Sequence, residues 1–176
     1  MTDTPAVSGH HAPRAIVVMG PSGNGKSTLA RRLATRLGHV FIEGDDCHPP
    51  ANIAKMARGE PLTDTDRAPF LAAVGAALAA HPHGAVAACS ALRRAYRDQL
   101  RALAGDIVFV LPRTSRAQLW ARMQTRKDHF MPASLLDSQL AAFEPLQPDE
   151  SFVLVDGNAR PGRQVQAVLD ALNRPV

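Results

Sequence analysis

Residues 15–27 have the sequence AIVVMGPSGNGKS, an apolar run of strand length followed directly by the pattern G-x-x-x-x-G-K-S. Glycines in this pattern permit backbone conformations that turn successive N–H groups toward a bound anion. Lys26 reaches the β- and γ-phosphates, the Ser27 hydroxyl coordinates Mg²⁺, and a helix beginning at Lys26 directs its positive end at the same phosphates. We therefore expect a nucleoside triphosphate to be bound by Gly20, Ser22, Gly23, Asn24, Gly25, Lys26, Ser27 and Thr28.

Short apolar runs alternate with amphipathic segments along the rest of the chain. The predicted strands are Ala15–Met19, Val40–Glu43, Ala85–Cys89, Ile107–Leu111 and Phe152–Val155. The predicted helices are Lys26–Leu37, Asn52–Arg58, Arg67–Ala80, Arg93–Leu103, Arg116–Gln124, Leu135–Phe143 and Arg163–Leu172. This alternation predicts an α/β fold of three layers, with helices on both faces of a parallel five-stranded sheet. Ligands bind beyond the carboxyl ends of such strands, so the segments after the strands hold the candidate site.

Length and composition indicate a single domain. The 176 residues fit a single domain over residues 14–176, preceded by a polar leader over residues 1–13 that we expect to be disordered. The sequence contains no apolar run of membrane-spanning length. Two cysteines, Cys47 and Cys89, give no disulfide framework, which favours the cytoplasm.

The basic balance of the chain does not indicate a nucleic-acid partner. The formal net charge is +4 and the pI is near 9.7, but aromatic residues make up only 5% of the chain. The basic residues are scattered along helices among acidic ones, without a basic run interleaved with aromatics. Only three of the 20 basic residues are lysines, and each falls in a candidate functional segment: Lys26, Lys55 and Lys127.

A carboxylate follows the second predicted strand, where Gly44 is succeeded by Asp45 and Asp46. Phosphoryl transfer to an alcohol needs a carboxylate near the acceptor hydroxyl. Asp45 is placed to face the γ-phosphate, where it could accept the hydroxyl proton, hold the hydroxyl in line, or bind a magnesium-bound water. We expect Asp45 to be the functional residue and Asp46 to be a turn former or helix cap, because adjacent side chains rarely face the same site.

A basic segment lies between the fifth and sixth predicted helices. Arg122 and Arg126 are spaced i,i+4 on one helical face, and Lys127 and His129 follow them. A short basic segment at this point predicts a helical lid over about residues 116–145 that folds arginines over the phosphates. Together with Lys26 and Asp45, Arg122 and Arg126 complete the predicted catalytic set.

Longer motifs then resemble a known family. Residues 44–56 (GDDCHPPANIAKM) and 59–71 (GEPLTDTDRAPFL) resemble the patterns GDxxHPxxNxxKM and GxPLxDxDRxPWL of bacterial gluconate kinases. Residues 89–98 (CSALRRAYRD) are similar to that family's CSALKxxYRD segment, and residues 126–130 (RKDHF) to its lid sequence. Residues 135–145 (LLDSQLAAFEP) resemble its LLxSQ…LExP stretch. The likeness spans about residues 15–157, with Phe70 in place of the usual Trp and Arg93 in place of the usual Lys.

The resemblance implies a function and a set of substrate contacts. The implied reaction is ATP- and Mg²⁺-dependent phosphorylation of D-gluconate at its terminal 6-hydroxyl, giving 6-phospho-D-gluconate and ADP. A P-loop fold of the nucleoside-monophosphate-kinase type, often a homodimer, is implied with it. The resemblance also implies that Asp45 orients the acceptor hydroxyl. The substrate contacts that it implies are Asp45, His48, Lys55, Arg67, Ser90, Arg93, Arg97, His129 and Gln139. For the gluconate carboxylate we expect Arg67 and Arg97.

Other classes of protein remain as alternatives. Another small kinase of the same fold, of the shikimate- or adenylate-kinase type, would keep the loop and the lid but lack HPxxNxxKM. A regulatory GTPase would carry DxxG and NKxD segments, and the sequence contains neither. A nucleic-acid motor needs a second domain, and a module that only binds nucleotide would not need the acceptor motif.

Overall fold

A computed structural model describes residues 13–125 and 135–173 of the chain. Its sheet has five parallel strands: β1 (Ala15–Val18), β2 (Val40–Glu43), β3 (Ala85–Ala88), β4 (Ile107–Arg113) and β5 (Phe152–Asp156). Their spatial order is β2-β3-β1-β4-β5. The central strand β1 pairs with β3 from Ala15↔Ala85 and with β4 from Ala15↔Ile107. The predicted α/β class and the five-stranded parallel sheet are confirmed.

Seven α-helices are described: α1 (Lys26–Leu37), α2 (Pro50–Ala57), α3 (Asp64–Ala79), α4 (Arg94–Ala104), α5 (Arg116–Thr125), α6 (Leu136–Ala142) and α7 (Pro161–Leu172). A short 3₁₀ turn, Gly44–Cys47, follows β2 directly. Because the strands are parallel, the loop after β1, this turn and the segments after β3 and β5 all meet at one edge of the sheet.

The helices cover both faces of the sheet. On one face, Val17 and Met19 join a buried cluster with residues of α3 and α4, such as Phe70 and Leu100. On the other face, Ile16 and Val18 pack with residues of α1 and α7. Burial on both faces explains why the inner strands β1 and β3 are continuous apolar runs that do not alternate with polar residues.

Four element boundaries differ from the sequence prediction by two or three residues: the starts of α2, α3 and α7 and the end of β4. Helix α3 begins at Asp64, three residues before the predicted start, because Thr63 caps it. The Thr63 side chain accepts from the Asp66 N–H, and the Asp66 carboxylate accepts from the Thr63 N–H. Strand β4 continues to Arg113 because β5 pairs with it as far as Arg113↔Asp156.

Some predictions concern residues outside the described ranges. Residues 1–12 of the predicted leader and residues 126–134 of the predicted lid are among them. The flanks of that lid segment are described as helices α5 and α6. Among the helices of the described ranges, none combines the length and the apolarity that crossing a membrane requires.

Candidate active site

The loop after β1 is held from inside by Asn24, which is 1% exposed. The Asn24 Nδ2 donates to the Met19 carbonyl at 2.8 Å, and its Oδ1 accepts from the Lys26 N–H at 3.1 Å. Gly20 has a φ of +121°, and a Cβ there would lie 2.2 Å from Asn24 Nδ2. The first glycine of the motif is therefore required both by its backbone angle and by the side chain that braces the loop.

At the start of α1, the Ser27 hydroxyl donates to Glu43 Oε1 at 3.2 Å. Burial raises the pKa of Glu43, and the nearby Asp45 carboxylate raises it further, against the Ser27 hydrogen bond that lowers it. A hydroxyl and a carboxylate side by side are oxygen ligands of the kind Mg²⁺ prefers, so the donor set fits a magnesium ion held directly or through water. Sequence reasoning missed Glu43, although an acidic residue ending an otherwise apolar strand was a usable signal.

Beside the loop lies a cavity, here called the polar pocket. Asp45 and Lys26 both line it, whereas Asp46 does not. It is bounded by the 3₁₀ turn, α3, the segment after β3 and α6. The remaining polar lining consists of Ser22, His48, Arg67, Ser90, Ser138 and Gln139, and the apolar lining of Met56, Pro61, Leu62, Phe70, Leu92 and Leu135.

The imidazole of His48 is part of the lining of the polar pocket. It stacks on Phe70 with ring centroids 3.8 Å apart and planes 6° from parallel. Burial, with a smaller contribution from the Arg67 charge, lowers the pKa of His48 to about 4, even though Asp45 opposes the shift. The imidazole is therefore neutral at physiological pH.

Arg67 is the guanidinium that reaches the polar pocket. Its side chain is 18% exposed, and Nη1 donates to the Leu62 carbonyl and to the Tyr96 hydroxyl. Asp64 lies 3.9 Å away. Since the bonds found in the described part of the chain involve Nη1, Arg67 keeps the other edge of its guanidinium for a ligand.

Arg97, by contrast, does not reach the pocket, and this corrects the expectation that it holds a substrate carboxylate. Its side chain is 0% exposed and pairs with buried Glu150 through Nε at 2.6 Å and Nη2 at 3.0 Å. The remaining N–H groups donate to four backbone carbonyls, those of Ala91, Leu92, Glu144 and Pro145. Every N–H of this guanidinium is used, so none is left for a ligand.

Two more cations of the predicted substrate-binding set form ion pairs with carboxylates of the protein. Lys55 Nζ lies 2.7 Å from Asp66 Oδ2. Arg93 Nη1 donates to both carboxylate oxygens of Asp64, at 3.1 Å and 2.8 Å. Neither Lys55 nor Arg93 lines the polar pocket as it stands. The structure thus brings Asp45, His48, Arg67, Ser90 and Gln139 together and leaves Lys55, Arg93 and Arg97 outside.

On the opposite side of the loop is a cleft of about 330 Å³, bordered by Thr28 and by the segment after β5. Arg122 lines this cleft and donates to the Gly23 carbonyl at 3.2 Å, to the Gly157 carbonyl at 3.0 Å and to Asn158 Oδ1 at 3.2 Å. Arg122 is therefore next to the loop, as its predicted role requires. The other predicted lid cations, Arg126, Lys127 and His129, lie outside the described residues.

Helix α6 contacts the phosphate-binding loop directly. The Ser22 N–H donates to Gln139 Oε1 at 2.8 Å, and both residues line the polar pocket. The loop is thereby held between Gln139 on α6 and Arg122 on α5, two helices that lie within the predicted lid. A movement of either helix would therefore change the contacts that hold the phosphate-binding loop.

These features define a class. A phosphate-binding loop at the end of the central strand lies between a nucleotide-sized cleft and a pocket with a carboxylate and a cation, which is the layout of a P-loop kinase. The family model described as an AAA domain matches residues 16–146.

The family follows from closer relatives. The chain is 54% identical to the gluconokinase of Gluconobacter oxydans over 152 residues, 85% of each chain. It is 39% identical to the thermoresistant gluconokinase of Escherichia coli, over 83% of this chain and 85% of that one. A solved gluconokinase structure from Sinorhizobium meliloti superposes with a TM-score of 0.83 at 46% identity, covering 92% of this chain and 93% of that one. The chain belongs to the gluconokinase family.

Proposed function

We propose that this protein transfers the γ-phosphoryl group of ATP to the terminal 6-hydroxyl of D-gluconate. The observation that carries the proposal is that Asp45, from the acceptor motif, and Lys26, from the phosphate-binding loop, line one pocket. A donor phosphate held at Lys26 is then adjacent to an acceptor held at Asp45. Membership of the gluconokinase family, with 54% identity to the Gluconobacter oxydans enzyme, supports gluconate as that acceptor.

In the proposed reaction the 6-hydroxyl oxygen of gluconate bonds to the γ-phosphorus. The bond from that phosphorus to the β–γ bridging oxygen breaks, and ADP leaves with the electron pair. Asp45 orients the hydroxyl and accepts its proton. Lys26, Arg122 and Arg126 offset negative charge on the transferring group. Mg²⁺, held by Ser27 with Glu43 near it, would neutralise phosphate oxygens when bound.

The rest of the polar pocket suits a sugar acid. Gluconate carries one carboxylate and a row of hydroxyls, so it needs a cation and several neutral polar partners. We assign the carboxylate to Arg67, the cation of α3 that lines the pocket, and the hydroxyls to His48, Ser90 and Gln139. His129 stays a further predicted contact of the lid.

The predicted lid over residues 116–145 is part of the proposal. Its closure would exclude water from the transferring phosphoryl group and so prevent ATP hydrolysis.

We further propose a single catalytic domain over residues 14–176, a cytoplasmic location that the free Cys47 and Cys89 favour, and a homodimer. Light scattering during gel filtration tests the homodimer.

The experiment is a coupled assay of Asp45→Asn with Mg-ATP, in which Asp46→Asn is the matched control. Gluconate phosphorylation should fall by about a hundredfold or more in Asp45→Asn, because proton transfer contributes factors of 10²–10⁴. Nucleotide affinity should survive in both variants, and Asp46→Asn should stay close to wild type. The same assay run with shikimate, nucleoside monophosphates and 2-keto- and 5-keto-gluconate decides the acceptor. Turnover of one of these without turnover of gluconate would refute the proposed substrate.

A further inference from the structure

We propose that His48 is a fixed hydrogen-bond donor through Nε2, and that Asn52 is the positioning residue that holds it in this tautomer. The tautomer is a property of the ligand-free protein. Only the statement that Nε2 donates to an acceptor hydroxyl rests on the proposed function.

The orientation of the Asn52 amide is fixed by a carbonyl. Asn52 is 4% exposed, and its Nδ2 lies 2.7 Å from the backbone oxygen of Asp66. A carbonyl oxygen accepts and does not donate, so the amide nitrogen, not the amide oxygen, must face it. The same nitrogen lies 3.4 Å from His48 Nδ1, four residues earlier in the chain.

The second N–H of that nitrogen therefore points at His48 Nδ1, which must accept. A neutral imidazole that accepts at Nδ1 carries its proton on Nε2. A doubly protonated ring would turn an N–H toward the Asn52 N–H, and this opposes charging the ring. In the described part of the chain no acceptor is bonded to Nε2, so this proton is available to a ligand in the polar pocket that His48 lines.

The plane of the ring is fixed as well. Phe70 stacks against it at 3.8 Å with the planes 6° apart, so the imidazole cannot rotate out of line without losing this contact. The charged groups that face the ring are Asp45 from the 3₁₀ turn and Arg67 from α3, which act in opposite directions on its protonation. Burial disfavours the charged ring in addition, so the neutral form dominates.

The carbonyl that orients Asn52 is itself held in place. Asp66 lies in the first turn of α3, in the reciprocal cap with Thr63. The Lys55 ammonium binds the Asp66 carboxylate at 2.7 Å. The motif residues Asn52, Lys55 and Asp66 thus form a chain of contacts that ends at His48. This accounts for a motif lysine that does not line the pocket.

The consequence for the reaction is a division of roles. His48 cannot accept the hydroxyl proton, because Nδ1 is already occupied by a donor and Nε2 already carries a proton. The acceptor proton must then go to Asp45, while His48 donates to an oxygen of the polyol. A donor at this point would distinguish a hydroxyl or carbonyl oxygen from an apolar group in the substrate.

The first test is ¹⁵N NMR of the imidazole in the full-length, ligand-free protein at pH 7.5. We expect an acceptor-type Nδ1 and a protonated Nε2 for His48, assigned by the loss of these signals in His48→Gln. In Asn52→Asp the carboxylate would accept from Nδ1–H, so the proton should move to Nδ1 and the imidazole pKa should rise. In Asn52→Leu the ring should lose its single tautomer. A protonated Nδ1 in the wild type, or a tautomer unchanged in Asn52→Asp, overturns the proposal.

The second test compares two replacements of His48 in the gluconate assay. The glutamine amide nitrogen of His48→Gln reaches the position of Nε2, whereas the asparagine amide of His48→Asn reaches the position of Nδ1. Both variants lose the stack on Phe70, so their difference isolates the donor. We expect kcat/KM to be about tenfold higher in His48→Gln than in His48→Asn, the worth of one hydrogen bond. Equal losses overturn the donor role. Lack of turnover by the wild type with the NMR result intact would overturn the proposed substrate alone.

Discussion

Replacing Arg97 by Met tests whether this guanidinium is structural or a substrate ligand. Arg97 and Glu150 are both 0% exposed, and the pair ties α4 to the segment that connects α6 with β5. Although burial opposes ionisation, the bonds from Arg97 and from the Gln147 N–H hold the pKa of Glu150 below its usual value. Removing Arg97 leaves the buried Glu150 carboxylate with only the more distant Arg94 and Arg101 of the described residues, at 4.0 Å and 3.9 Å. It also takes a donor from four backbone carbonyls, of which only those of Leu92 and Pro145 keep another within the described part of the chain.

The expected cost is about 3–5 kcal/mol, the range for breaking a buried ion pair by removing one partner. For a chain of this length each kcal/mol lowers Tm by roughly 2–4 °C, so Tm should fall by roughly 6–20 °C. Scanning calorimetry or urea unfolding measures this loss. At a temperature where the variant is folded, KM for gluconate should stay close to that of the wild type.

The double variant Arg97→Met with Glu150→Leu provides the matched comparison. It removes both charges and should recover part of the stability lost in Arg97→Met, since an apolar pair can replace a buried ion pair. The reasoning is refuted if Arg97→Met keeps the wild-type Tm while KM for gluconate rises tenfold or more. That result would return Arg97 to the substrate-binding set.

Two further predictions concern the acceptor side of the site. A Cβ on Gly44 would lie 2.2 Å from the Ala88 carbonyl oxygen, so Gly44→Ala should displace the turn that carries Asp45. We expect the free energy of unfolding to fall by about 1–3 kcal/mol and kcat to fall with it. In the control Gly162→Ala a Cβ meets nothing within 4 Å, so neither quantity should change. Equal effects in the two variants would contradict this reasoning. The pKa of His48 is lowered to about 4, so the unfolded chain binds a proton at higher pH than the folded one. Urea midpoints should therefore fall from pH 6.5 toward pH 4 more steeply in the wild type than in His48→Gln, and parallel curves would argue against it.

Much of the fold was predictable because its signals are local. Apolar runs of strand length and the amphipathic segments between them predicted five parallel strands and seven helices, which the structure contains. The start of α3 was placed three residues late, since the signal lay in the Thr63–Asp66 cap and not in the apolar periodicity. Within the site, the phosphate-binding loop and the choice of Asp45 over Asp46 for the polar pocket agree with the geometry.

What the sequence could not decide is which cations face the ligand. Arg67 and Arg97 have the same chemistry and both lie in family motifs, yet Arg97 is enclosed with Glu150, a residue 53 positions away. A contact over that distance leaves no local pattern. The acidic end of β2 was a usable local signal for Glu43, but its pairing with Ser27 was not predictable, since the two residues meet only when β2 and α1 are packed together.

The donor side of the site follows from the amino-acid sequence alone, because a phosphate-binding loop depends on glycines and on a lysine and serine that are adjacent in the chain. The sequence also indicated the acceptor through motifs of short range. How the residues of the acceptor motif are used depends instead on the three-dimensional fold. It directs Asp45, His48 and Arg67 into the pocket and turns Lys55 toward Asp66, because the direction of a side chain depends on partners that folding brings from distant segments.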